Sequence, residues 1–115
     1  MSKYGLSLNT IIQNTDNIRF VKKGSLEICD YLLVKTINSQ YTIRKVDSRF
    51  YEISGGWFDK NGKSPTKMII RGCTWGGSSI YINMLAACGL RLEFGNNVIT
   101  SPVNQIILIR GSYLN

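Results

Sequence analysis

Hydrophobic and polar residues alternate with a period of two along much of the chain, a pattern that predicts strands rather than helices. The clearest stretch starts at Tyr31, where YLLVKTI, QYTIRKV and RFYEIS are separated by Asn38-Ser39 and Asp47-Ser48. Asn and Asp tolerate positive φ and can bond their own backbone, so these pairs suit tight hairpin turns. The three runs therefore read as an antiparallel meander. With two residues in each turn, Val34 opposes Ile43 and Arg44 opposes Tyr51. One face then carries Tyr31, Leu33, Lys35, Thr42, Arg44, Val46, Arg49, Tyr51 and Ile53. The other carries Leu32, Val34, Thr36, Tyr41, Ile43, Lys45, Phe50, Glu52 and Ser54 and is expected to meet the core. A slip of one residue in either turn would exchange these faces.

Elsewhere the pattern is more broken. Leu6-Leu8-Ile11-Ile12 and Ile18-Phe20-Val21 are short apolar clusters, read as a short helix or strand followed by a strand, with Lys22-Lys23-Gly24-Ser25 as a turn. Gly55 to Pro65 reads as the end of a strand running into an exposed loop, and TKMIIRGCTW as one further strand. GGSSIYINMLAACG predicts a short helix near 79–88: a serine can cap it, Ile80, Met84 and Ala87 with Tyr81, Leu85 and Cys88 form a stripe, and Gly89 can end it. LRLEF alternates with Leu90, Leu92 and Phe94 inward and Arg91 and Glu93 outward. NQIILIR, four aliphatics in a row, reads as a strand covered on both faces and central in a sheet or closed barrel.

The expected fold is α+β and β-rich: an antiparallel meander forming a small, partly closed barrel or a strongly curled sheet, with one short helix. At 115 residues the chain supports one core. Residues 1–24 are expected as an N-terminal segment, partly mobile or packed on the sheet, and residues 25–115 as a single β-rich domain.

Composition adds charge and removes chemistry. Lys and Arg number 14 against 7 Asp and Glu, a formal charge of +7, and residues 61–115 hold Glu93 as their sole carboxylate among five basic residues. Such an excess attracts nucleic acid or an acidic protein partner. The absence of histidine disfavours His-based acid-base catalysis and His-dependent triads. Cys29, Cys73 and Cys88 are widely spaced, which suits reduced thiols in the cytoplasm; Cys73 and Cys88 read as small buried hydrophobes. No metal and no cofactor is expected. No run approaches the length needed to span a bilayer, and the start has neither a signal-peptide nor a transit-peptide pattern, so no membrane association is expected.

Two local groups stand out. Tyr31, Lys35, Arg44, Arg49 and Tyr51, with the loop lysines Lys60, Lys63 and Lys67, combine cations for phosphate with rings for stacking, the ingredients of a single-strand nucleic-acid surface. Gly76, Gly77, Ser78 and Ser79 before the expected helix offer amides and hydroxyls to an anion. Glu52 beside basic residues could in principle serve a histidine-free nuclease; a cross-strand ion pair is the plainer use. The expected function is a small basic, non-enzymatic binding module for nucleic acid or a nucleic-acid-associated protein. The alternative is a self-associating or partner-regulating protein, with dimers or other homo-oligomers formed through an aromatic and apolar interface.

Overall fold

The structure, a computed structural model, describes residues 15–76 and 79–111. In chain order its elements are β1 (Thr15–Ile18), β2 (Phe20–Lys22), a 3-10 turn (Lys23–Ser25), β3 (Tyr31–Thr36), β4 (Gln40–Lys45), β5 (Tyr51–Gly55), α1 (Gly56–Lys60), β6 (Thr66–Met68), β7 (Ile70–Thr74), β8 (Met84–Ala87), β9 (Arg91–Phe94) and β10 (Val103–Ile109). A six-stranded antiparallel sheet has the order β1-β10-β3-β4-β5-β6, and two small sheets pair β2 with β8 and β7 with β9. The β-rich antiparallel architecture with one short helix is as expected. The expected partly closed barrel or strongly curled sheet is not found: among the described residues no sheet is closed or strongly curled.

The edges of the large sheet explain how so many short strands share one core. β1 is followed after Arg19 by β2, and β6 after Ile69 by β7, so both edge strands bend out of the large sheet and continue into the small ones. Expecting TKMIIRGCTW to be one strand missed this break. Bending limits the length of unpaired edge left for aberrant pairing. The apolar cluster joins Leu32, Val34, Ile43, Ile53 and Ile106 of the large sheet to Val21, Leu85, Ala86, Leu92 and Phe94 of the small ones. Each of the larger of these side chains removed from water contributes roughly 1.5 to 3 kcal/mol. β10 lies between β1 and β3, as the four-aliphatic run predicts, and buries Ile106 and Leu108 on one face while Ile107 and Ile109 stay half-buried on the other.

The two hairpins depart from expectation in different ways. In the first, Leu32 opposes Ile43 and Val34 opposes Tyr41, a shift of two positions that keeps every side chain on its expected face. In the second, Asp47, Ser48 and Arg49 all lie in the turn and Arg44 opposes Glu52 instead of Tyr51. That one-residue difference exchanges the faces of β5, because the side-chain period is two. Tyr51, expected in solvent, is 2% exposed, and Ile53 is fully buried; Glu52 and Ser54 move to the outer face beside Arg44 and Thr42.

The helix is also not where the stripe placed it. Residues 79–89 contain no helix: Tyr81 forms an isolated bridge with Cys73, and Met84–Ala87 is strand β8, paired with β2. A short apolar run without charged residues fits either period, and pairing with β2 decides it. The helix instead falls in the stretch read as exposed loop. Gly55 and Gly56, both at positive φ, turn β5 into α1; a side chain at Gly56 would collide with the Tyr41 ring. The reward for this tight turn is Phe58, fully buried and packed edge-on against Tyr41 and Phe94 with centroids 6.2 and 5.1 Å away. Of the expected N-terminal segment, Thr15–Ile18 and Phe20–Lys22 are strands of these sheets; the apolar cluster from Leu6 to Ile12 lies outside the described residues.

Candidate functional site

The exchange of faces divides the expected nucleic-acid surface. Tyr31, Lys35 and Arg44 lie on the outer face of the large sheet, where Arg44 and Tyr31 are cross-strand neighbours. Arg44 is not available as a free cation: its Nη2 lies 3.3 Å from Glu52 Oε1, and Nε donates to the same oxygen at 3.3 Å. The hydrogen bond from Arg44 Nε to Glu52 raises the Arg44 pKa, and Glu52 is thereby an ion-pair partner. Tyr51 points through the sheet to the other side.

On that other side Tyr51 and Arg49 meet residues that no local motif had joined to them. A cleft of about 420 Å³ is lined by Ser48 and Arg49 of the β4–β5 turn, Tyr51 at the start of β5, Ile69, Ile70 and Arg71 at the β6–β7 bend, Lys23 of the 3-10 turn, and Ile80 and Ile82 of the β7–β8 loop. Three of these side chains are cationic and none is a carboxylate. Their signal in the sequence was weak, because Lys23, Arg49 and Arg71 are far apart along the chain and come together only when the β6–β7 bend and the β2–β8 pairing form.

Each cation is held differently. Asp47 Oδ1 accepts the amides of Arg49 and Phe50 at 3.0 and 2.9 Å, which shapes the turn that presents Arg49. Those two bonds hold the Asp47 carboxyl below its ordinary value, and its other oxygen lies 3.8 Å from Lys67. The exposed Arg49 guanidinium sits 5.8 Å from the Phe50 ring centre and has no ion-pair partner among the described residues. Arg71 donates from Nη1 to Glu93 Oε2 at 3.1 Å and from Nη2 to the Gly95 carbonyl at 3.3 Å. Lys23 donates from Nζ to the Arg71 carbonyl at 3.1 Å. Partial burial pushes the Lys23 ammonium down from its ordinary value, opposed in part by the Cys73 sulfur. Burial also pushes the Tyr51 phenol up, keeping it neutral.

The remaining expected contacts scatter. Lys67 stands over the Phe50 ring at 5.3 Å besides facing Asp47. Lys60 ends α1 and lines a smaller cavity of about 220 Å³ with Tyr41 and Trp57, and Lys63 is exposed in the following turn. In the expected anion loop, Gly76 and Ser79 are exposed, while Gly77 and Ser78 lie outside the described residues. The Gly76 amide is donated to Thr74 Oγ1 at 3.0 Å, and residues 79–89 form no helix whose first amides could meet an anion. Cys73 is fully buried and burial pushes its thiol up to about 12, which fits packing rather than nucleophilic chemistry.

One more surface adjoins the cleft. The β7–β8 loop exposes Trp75 (70%), Tyr81 (51%) and Ile82 (64%), and Ile82 is also a cleft wall. Gly72 sets this arrangement: at φ +149 it lies against the Tyr81 carbonyl, so any side chain there would push the loop off β7. Among the described residues no helix is long and apolar enough to cross a membrane. No protein-family model, curated protein or solved structure matches the chain.

Proposed function

We propose that the protein is a small basic, non-enzymatic binding module for nucleic acid, engaging its partner through the cleft rather than the outer sheet face. The observation that carries this reading is the convergence of Lys23, Arg49 and Arg71 on one concavity whose lining has no carboxylate. Fixed cations in a concave, partly apolar wall focus a positive potential and release counterions when phosphate binds. The exposed Trp75 and Tyr81 on the neighbouring loop offer stacking surfaces for unpaired bases, which favours single strands over duplex.

The test is binding of a labelled single-stranded oligonucleotide at several salt concentrations. Affinity is expected to fall steeply with salt, and Arg49→Gln and Arg71→Gln each to flatten the log-log slope by about one phosphate contact. Lys35→Gln, on the outer face, is expected to change it less. No binding at low salt overturns the proposal.

A second reading has one specific observation in its favour. Trp75, Tyr81 and Ile82 put two rings and an aliphatic side chain in solvent on one loop, the residue types that supply the energetic centre of protein interfaces. Under that reading, a partner-regulating or self-associating protein, Trp75→Ala abolishes association seen by sedimentation and leaves salt-dependent oligonucleotide binding absent throughout.

A further inference from the structure

We infer that the cleft is an end-recognition site: it takes a single nucleotide unit carrying a phosphate monoester, rather than an internal stretch of a strand. The inference rests on the nucleic-acid reading and deepens it.

Size is the first argument. The concavity, open on one side, has a volume of about 420 Å³, the size of a small-ligand site, whereas a groove that tracks a strand spans roughly four nucleotides or more. Charge is the second. Lys23, Arg49 and Arg71 bring three positive charges and Glu93, bonded to Arg71 at 3.1 Å, offsets one, while Asp47 in the Arg49 turn is balanced by Lys67 at 3.8 Å. The remaining excess of two matches a phosphate monoester, which carries about −1.5 to −2 near neutral pH, and exceeds the single charge of an internal phosphodiester.

Donor geometry is the third. Arg71 has five N–H groups and is anchored through two bonds, to Glu93 and to the Gly95 carbonyl. It is thus held in place with donors to spare. Lys23 places one of its three N–H groups on the Arg71 carbonyl, which orients the ammonium without neutralising it. Such prior ordering lowers the entropy cost of capturing an anion. The apolar wall is the fourth: Ile69, Ile80 and Ile82 provide a face for a sugar and base but no partner for a second phosphate. Because Gly72 lets the loop approach β7, that wall is part of the fold and does not need to form on binding.

The experiment uses the full chain and one short single-stranded oligonucleotide in three forms, with a 5′-phosphate, with a 3′-phosphate, and with hydroxyls at both ends, together with adenosine monophosphate and adenosine. One phosphorylated form is expected to bind about tenfold tighter than the hydroxyl form, as befits added charge-assisted bonds. That advantage is expected to disappear in Arg49→Gln, an exposed turn position whose substitution leaves the core intact, and to shrink below pH ~6 as the monoester takes up its second proton. Adenosine monophosphate competes and adenosine does not. Equal binding of all three oligonucleotides overturns end recognition while leaving the nucleic-acid proposal standing. Binding of the mononucleotide without any oligonucleotide supports the nucleotide site and removes the polymer reading. No binding of any probe removes both.

Discussion

The β3–β4 and β4–β5 hairpins share a strand, have similar composition, and end as mirror cases of one rule. In the first, the turn lies one residue earlier than Asn38-Ser39, a displacement that shifts opposed positions by two and moves no side chain to the other face. In the second, the turn holds one residue more than Asp47-Ser48, and every side chain of β5 changes sides. The parity of a register error therefore matters more than its size. The two turns also use their polar side chains differently. Thr36 Oγ1 accepts the Ser39 amide across the first, while Asp47 caps two amides inside the second and stabilises the longer loop. That longer loop is what turns Tyr51 into the core and carries Arg49 to the cleft.

Tyrosine substitutions test this difference most strongly. Tyr51→Ala is expected to cost about 3 to 5 kcal/mol, the scale of deleting a buried aromatic ring, whereas Tyr31→Ala on the half-buried outer face is expected to cost about 1 kcal/mol or less. Urea denaturation of both variants checks it; equal small effects would restore the two-residue turn and place Tyr51 back beside Arg44.

The base of the first hairpin gives an intermediate effect. Asp30, just before β3, is 3% exposed and accepts the Gly111 amide (2.8 Å), the Glu27 amide (2.9 Å) and Arg110 Nη1 (2.8 Å). Burial pushes its pKa up, but the Gly111 and Glu27 amides and Arg110 together outweigh that and hold it below the ordinary carboxylate value. A depressed folded-state pKa contributes stability that is complete above the unfolded value, ~3.9, and is lost as pH falls through the folded value. Asp30→Asn is expected to lower stability by about 2 kcal/mol at neutral pH, the scale of a hydrogen bond to a charged group, and to flatten the acid limb of the urea midpoint measured from pH 6 to pH 2. An unchanged acid limb would show that Asp30 does not lock the two chain segments together.

Smallest of the three is the pair that the second hairpin's register creates. Arg44 and Glu52 are partly exposed, so a double-mutant cycle with alanine is expected to give a coupling of about 0.5 kcal/mol that weakens with salt. A coupling that is repulsive or grows with salt would overturn the pairing.

Much of the molecule was legible locally because period and turn chemistry act over a few residues. The three meander runs, the inward Leu92 and Phe94, and the interior position of NQIILIR could all be read that way. What resisted reading had two sources. MLAAC fits helical and extended spacing equally, so β8 exists because β2 offers it a partner. The candidate site is assembled from segments whose neighbours in sequence say nothing of one another: Arg49 could be noted as a cation of the meander and Arg71 as part of a further strand, but not that both border one cleft with Lys23.

The chain by itself determined that this is a basic, histidine-free, β-rich protein, because charge, composition and alternation are properties of residues and near neighbours. Tertiary structure alone decided which face each β5 side chain takes, where the helix falls, and which cations share a cavity. The physical reason is that strand faces depend on the count of residues in a loop, whose length is set by side-chain caps such as Asp47 and by the burial that the whole fold rewards, and not by any preference the strands carry on their own.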